Sequence, residues 1–485
     1  MVQFTDLPTD VVDTILTSLP DFRTLSAAIK VSKVYTYAVF NSHRQTILTS
    51  VALNLVGPSL PHALKVVHCR DQPDEIINLK HDESMEASKA FLTSLTYRQR
   101  RFVEKSSSAV QKLEDVFSQI YKDRRSPTSV LTNAESLRLR TALYRIWLFC
   151  IFIEQWNNDD DDGDENEDDD GNENPWARWN ANWDAVVAWL AEYDTPDLLD
   201  VVAVAPFLQE VLRRIMNSDP ENVGAVYGQC SSVHSSEDGV PQSYLPTEFP
   251  MQSNPIHNPG LVYDLLRDQR RWKELIEGSE VSAAMFKIAL EKVCVAKNLN
   301  AETTLAVAPL RFINEVHGAD DKCFNCDEVR GMDLYGPPNW HFLGGVMSAT
   351  PITQNLPGLL LRSPIEISVI SNNFFNRDDF DWGAFTVEIF DFEMPVPEEV
   401  VWDKEQWYCQ TCITKLFTTR FPWWWMARPK SEHAPAKENC WYGWNCRTQL
   451  HRPGHALKLN HFCEPTRDDG KSPEQAWAQV QDSDA

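Results

Sequence analysis

The chain has 485 residues, 43% of them hydrophobic, and a formal net charge of −25. That length corresponds to about three domains, and that apolar content is enough for a sizeable core. The acidic balance disfavours non-specific attachment to DNA or to an anionic membrane surface. The start, MVQFTDLPTD, has neither the basic nor the apolar region of a secretory signal, so the expectation is an intracellular protein of nucleus and cytoplasm. In that setting the eleven cysteines stay reduced, and paired ones read as metal ligands rather than disulfides. The longest apolar run, 146–153, is too short to span a bilayer.

Residues 1–45 open with Leu7 and Pro8. Val11, Val12, Ile15, Leu16 and Leu19 then recur at helical spacing. Pro20 and Asp21 end that helix, and Asp21 is placed to cap the next. Leu25, Ala28, Ile29 and Val31, then Val34, Tyr35 and Val39, continue the pattern. The spacing predicts three short helices with more apolar surface than so small a unit can bury, and such a surface marks a partner site. The other reading is a helical hairpin packed on its own domain. The Leu7-Pro8 start, the turn Ile15-Leu16-x-x-Leu19-Pro20 and the end Val31-Ser32-Lys33-x-Tyr35 resemble the F-box. That resemblance implies docking of Leu7, Pro8, Val11, Val12, Ile15, Leu16, Leu19 and Pro20 onto the Skp-type adaptor of a cullin–RING ubiquitin ligase.

Residues 46–156 are expected to be helical. Phe102, Val110, Leu113, Val116 and Phe117 give one face over 99–121, and Leu137, Leu139, Leu143, Ile146, Trp147 and Cys150 give another over 136–154. Between them, Arg124 and Arg125 read as part of a solvated loop. Residues 157–175 form a run in which eleven of nineteen are Asp or Glu; such a density of like charge reads as a disordered acidic linker. Residues 176–300 return to helix, predicted over 179–215, 260–276 and 281–296, around a Ser/Pro/Gln/Asn-rich loop at 229–257.

The region 301–430 carries two CxxC pairs, Cys323 with Cys326 and Cys409 with Cys412. Two such pairs supply the four thiolates of a structural zinc site, although the gap between them requires a folded insert. Strands are expected in that insert at 365–370 and 385–389. The alternative is two unrelated turns with free buried thiols. His317, His341 and His433 read as ordinary histidines. Trp423, Trp424 and Trp425 form a cluster apolar enough to pack the following segment onto this body.

Residues 431–470 contain Cys440 and Cys446, then His455 and His461. Two thiolates and two imidazoles close a tetrahedral zinc site, and the metal would supply folding energy that so short a segment lacks. The order C-x-Y-G-x-x-C then H-x-x-x-x-x-H, with Asn445, Thr448, Gln449, Ala456, Asn460, Cys463 and Glu464, resembles the PBZ-type poly(ADP-ribose)-binding zinc finger, in the form found in forkhead-and-RING mitotic-checkpoint ubiquitin ligases. A longer bridge, LHRPG, separates Gln449 from His455. The residues themselves point the same way. Arg447, Arg452, Lys458 and Arg467 outnumber Glu464 in an otherwise acidic chain, and cations beside Trp441, Tyr442 and Trp444 suit phosphate plus a stackable base. The other reading of these rings is packing around the metal. Gly443 would admit close approach of a ligand. The resemblance implies that Tyr442 stacks on adenine and Arg447 holds a phosphate, with Trp441 and Gly443 beside them.

Residues 471–485 read as a disordered tail. No Gly-rich phosphate loop, nucleophile elbow or HExxH occurs, so a non-enzymatic protein is expected. The expected fold is mainly α, with a trihelical start, a helical centre and a small α+β zinc-bound region ending in a finger. The expected function is an adaptor joining a Skp-type partner to poly(ADP-ribose) or a poly(ADP-ribosyl)ated protein, with no direct DNA or membrane binding. The runner-up is a zinc-dependent nucleic-acid- or protein-binding module without a ubiquitin-ligase role.

Overall fold

The computed structural model describes residues 7–72, 91–158, 187–216, 283–305, 311, 313–375, 380–398, 400–428 and 438–467. The fold is mainly helical, with short two-stranded sheets in its C-terminal part. The chain divides into two compact units, Met1–Leu212 with Pro246–Val316, and Arg213–Leu245 with His317–Ala485. Positions 159–175 of the acidic run, the loop 229–257, the predicted helix 260–276, His433 and the tail 471–485 lie outside the described residues.

The first unit begins with three short helices, α1 (Thr9–Thr17), α2 (Phe22–Lys30) and α3 (Thr36–Ser42). Asp21 caps α2 by accepting the Thr24 N–H at 2.6 Å. The apolar positions of α1 divide: Val12 and Leu16 are buried, whereas Val11 and Ile15 are exposed. Leu7 and Leu19 are half-buried, and Pro8 and Pro20 are exposed. The three helices rest on α4 (Arg44–Val56). There the Asn54 side chain donates to the carbonyls of Thr17 and Leu19 at 2.8 and 3.0 Å.

A Gly57-Pro58 break separates α4 from α5 (Leu60–Asp71). The run Arg44–Asp71 is long and apolar enough to cross a membrane, and 67% of its most apolar window is buried inside the protein. The helix α6 (Tyr97–Tyr121) starts at a capping box, in which Thr96 accepts the Gln99 N–H and Gln99 accepts the Thr96 N–H. It packs with α5 and α7 (Asn133–Asn158). The face of α7 is as predicted except at Leu137, which is 38% exposed. The single helix expected over 179–215 is interrupted. Asp194 accepts the Asp197 N–H at 2.9 Å and starts a new helix, α8 (Thr195–Met216), because Asp-Thr-Pro is a start signal stronger than the apolar periodicity running through it. The helices α9 (Ala283–Ala296) and α10 (Ala301–Leu305) complete the unit.

The loop between α6 and α7 is not the solvated one expected. Arg125 is exposed, but Arg124 is 1% exposed. The buried Glu135 carboxylate, at the start of α7, accepts from Lys122 Nζ, from the Thr132 N–H at 2.7 Å and from the Asn314 N–H at 2.8 Å. Burial by itself would raise the Glu135 pKa; Lys122 and these N–H donors instead hold it at about 2. A folded-state pKa below the usual carboxylate value contributes stability that is fully present above that value and is lost as pH falls from about 4.5 toward 2. Glu135→Gln should therefore cost about 3–5 kcal/mol at neutral pH, because it leaves the Lys122 ammonium buried and unpaired. In urea melts, the gap between parent and variant should narrow across that acidic window.

In the second unit, β1 (Leu334–Tyr335) pairs antiparallel with β2 (Tyr408–Cys409), Leu334 opposite Cys409. The insert between them is helical: α11 (Ala349–Gln354), α12 (Pro364–Ile370) and α13 (Trp382–Asp391). Both strands expected there are thus helices. In 365–370 the two-residue alternation of isoleucines misled, since Pro364 at the first helical turn starts α12. In 385–389 the cue missed was Asp381, which accepts the Ala384 N–H at 3.0 Å and caps α13. The long helix α14 (Gln410–Ala427) follows. Phe374, Phe375, Trp382, Phe385, Phe417, Phe421 and Trp424 form an aromatic core around it.

Candidate metal centres

The first centre is built by a turn and a helix start. Cys323 and Cys326 lie on a tight turn in which the Cys323 N–H donates to Glu328 O and the Asp327 N–H to Cys323 O, both at 2.9 Å. Asp327 takes a positive φ of 56° to close it. The turn docks on the later pair through the Phe324 N–H to Trp407 O bond, 2.8 Å. Cys409 ends β2 and precedes α14, and Cys412 sits in the first turn of that helix. The four sulfurs lie within 4.8 Å of one another, so the two pairs converge as one candidate metal site. The Cys326 and Cys409 sulfurs are 3.9 Å apart. A metal–thiolate bond of about 2.3 Å implies a tetrahedral edge of about 3.8 Å, so the donor set fits.

Two of the sulfurs accept hydrogen bonds. The Cys409 N–H donates to Cys323 Sγ at 3.3 Å, and Asn325 Nδ2 to Cys412 Sγ at 3.2 Å. Burial pushes the thiols of Cys409 and Cys412 up. Burial acts upward on Cys323 too, but the N–H groups of Cys409, Cys326 and Asn325 hold it at about 7. His317 and His341 are exposed and belong to neither centre.

The second centre brings together Cys440, Cys446, His455 and His461, again with ligand atoms within 4.8 Å. A parallel pair, β3 (Glu438–Asn439) with β4 (Leu459–Asn460), closes its base. Cys446 leads into α15 (Thr448–His451), and His455 lies on α16 (Pro453–Lys458). The long LHRPG bridge is therefore the junction of two short helices, with Pro453 starting the second. His455 Nε2 is 3.3 Å from Cys446 Sγ and 3.8 Å from Cys440 Sγ. Burial, then the neighbouring His461 and Arg452, lower the His455 pKa and favour the neutral, ligating imidazole. Burial raises Cys440. His461 is fully buried, and among the described residues neither of its ring nitrogens has a hydrogen-bond partner. Two buried orphan nitrogens are costly, and a metal would answer one of them.

The finger residues divide sharply. Trp444 is 1% exposed and belongs to the aromatic core of the unit, which is the packing reading of that ring. Its carbonyl accepts the Leu359 N–H at 2.9 Å. Gly358 has φ +59° and sits so close that a Cβ there would lie 2.8 Å from the Trp444 ring. Trp425 meets Phe462 with ring centroids 6.1 Å apart, so the expected packing of the finger by the tryptophan cluster occurs at Trp425. Gly443 is buried, and a Cβ on it would come within 2.0 Å of Cys463 O; its close approach is to the chain's own backbone, not to a ligand-facing space. Trp441, Tyr442, Arg447, Arg452, Lys458 and Arg467 are exposed. Arg467 stacks on the Trp441 ring at 4.2 Å.

Sequence reasoning did not single out Asn325, which touches a ligand sulfur; Cys463, named there only within the resemblance, donates its thiol to the Cys440 carbonyl at 3.5 Å. Comparison with protein-family models, curated proteins and solved structures finds no match.

Cys412→Ser and Cys446→Ser should each lower metal content by one ion per chain, read by elemental analysis of purified protein. Metal retention should fall as pH is lowered in both centres, because each ligand must be deprotonated to bind. Unchanged stoichiometry in either variant would remove that centre.

Proposed function

We propose that this chain is a non-enzymatic adaptor of the nucleus and cytoplasm. Its C-terminal finger, held by zinc, reads poly(ADP-ribose) or a poly(ADP-ribosyl)ated protein, and its F-box-like N-terminus engages the Skp-type adaptor of a cullin–RING ubiquitin ligase. Zinc is the metal of choice because closed ligand sets of four thiolates, or of two thiolates and two imidazoles, are its structural sites.

The observation that carries this reading is the outward face of the finger. Tyr442 is 45% exposed, and among the described residues its ring has no aromatic or cationic partner, whereas Trp441 already holds Arg467. Tyr442 is thus the ring left free to stack on a base. Arg447, Arg452, Lys458 and Arg467 take part in no ion pair among the described residues, so their charge is available to phosphates. At the other end, Val11, Ile15, Val31, Val34 and Tyr37 are each exposed, Val34 at 89%, which supports a protein-docking role for the three short helices.

One observation favours the runner-up. Val12 and Leu16 are buried, and the Asn54 bonds tie α1 to α4, as they would if the first helices were only a layer of the unit. A metal-dependent module without a ligase partner would need no more than that.

Tyr442→Ala should weaken poly(ADP-ribose) binding by about 1–3 kcal/mol, the range of base–aromatic stacking, and Arg447→Ala should flatten its salt dependence, both with zinc retained. Cys446→Ala should lose zinc and ligand together. Equal affinity for plain RNA would favour the runner-up. Val11→Asp with Ile15→Asp, both at exposed positions, should abolish co-purification of the Skp-type adaptor with the full chain. Undiminished recovery would end the F-box reading.

A further inference from the structure

The His461 nitrogens pose a problem that one metal solves only by half. Both are buried without a hydrogen-bond partner among the described residues, and an imidazole binds a metal through one nitrogen, leaving the other as an N–H donor. An acceptor for that N–H lies outside the finger. It is Glu366, in the first turn of α12, some ninety residues earlier in the chain. Glu366 Oε1 lies 3.8 Å from His461 Nδ1, with the side chains 10% and 0% exposed. Among the described residues Glu366 has no other ion-pair partner. A carboxylate held in the interior beside an unpartnered imidazole nitrogen is a costly arrangement unless the two are used together.

We infer that Glu366 is a positioning residue of the finger's metal centre. It accepts the Nδ1 proton of His461, fixes the tautomer that turns Nε2 to the metal, and raises the basicity of that ligand. The inference rests on the finger holding a metal. The centre is then completed by the body of the unit, and the segment 431–470 alone lacks one of its parts. The same helix is fixed by Ile370, fully buried, and the chain just before it by the Leu359–Trp444 bond. The carboxylate is thereby delivered by packing rather than by sequence proximity.

The test uses the full chain loaded with cobalt(II), whose absorption distinguishes a two-thiolate from a four-thiolate site, in competition with a chromophoric chelator. Glu366→Leu should weaken cobalt binding at the two-thiolate site by about 10–100-fold and leave the four-thiolate site unchanged. Glu366→Gln, which keeps an acceptor oxygen without the charge, should lose less. Ile389→Ala, at a fully buried core position on α13 rather than on α12, serves as the packing control and should leave the two-thiolate affinity near that of the parent. Nitrogen-15 shifts of His461 in the zinc-loaded parent should report a protonated Nδ1. Metal on Nδ1, equal affinity in Glu366→Leu and parent, or an equal loss in Ile389→Ala would each overturn the role of Glu366. A parent that binds cobalt only at the four-thiolate site would instead overturn the metal reading of the finger itself.

Discussion

The C-terminal unit depends on the meeting of four cysteine sulfurs from two distant turns. Cys326 and Cys409 are 83 residues apart in sequence and 3.9 Å apart in space. Closing a loop of that length costs about 4.5 kcal/mol in chain entropy. Four packed thiols do not offset that cost strongly, whereas a structural metal contributes about 10–16 kcal/mol in small metal-folded domains. What the closure fixes is the start of α14. Cys409 and Cys412 bracket its first residues, so the helix leaves the centre in a set direction and carries Phe417, Phe421 and Trp424 into the aromatic core. Two helices of the insert, α11 and α13, pack on α14.

The finger is bound into the same core, and the reason is its shortage of apolar surface. A segment of about thirty residues buries too little to order large rings by itself. Trp444 is ordered by leaving the finger and joining the body. Gly443, at φ +41° and pressed against the Cys463 carbonyl, makes this possible: a left-handed residue between neighbours lets Trp441 and Tyr442 face solvent while Trp444 turns inward. A side chain at that position would collide with backbone, so the split between inward and outward rings is set by one residue. In the proposed role, the stacking surface is then presented by a rigid support, and less ordering entropy remains to be lost on binding.

Ligand identity was legible in the sequence because metal sites are specified by residue type and spacing. Both clusters follow from CxxC pairs and from the order of Cys440, Cys446, His455 and His461, and the helical nature of the chain follows from its 3.6-residue periodicity. What was not legible had competing local signals or no local signal. Residues 365–370 alternate like a strand, yet a seven-residue helix begun by Pro364 buries Glu366 and Ile370 together, four apart on one face. Asp381 and Asp194 are capping cues outweighed, on reading, by the apolar pattern around them. Arg124 looks like a surface arginine because burial of a charge is decided by tertiary partners. Glu366 could not be found at all: its meaning lies in His461, and nothing in the intervening sequence connects them.

Charge sets the final constraint on any polyanion reader built from this chain. The protein carries a net −25, with eleven of its acidic residues in the run 157–175, and such a balance disfavours non-specific binding to nucleic acid. The finger is the local exception, with four exposed cations against Glu438 and Glu464 among its described residues. At physiological salt the repulsion from distant acidic groups is screened beyond about 8 Å, so a ligand is judged mainly by the finger itself. Four cations release few counterions compared with the broad basic surfaces of DNA-binding proteins, and the electrostatic part of affinity is correspondingly small. The remainder has to come from a contact that salt does not screen, and a free aromatic ring supplies one. This favours a polyanion whose bases are unstacked and accessible, as in poly(ADP-ribose), over duplex DNA, whose bases are already stacked inside the helix.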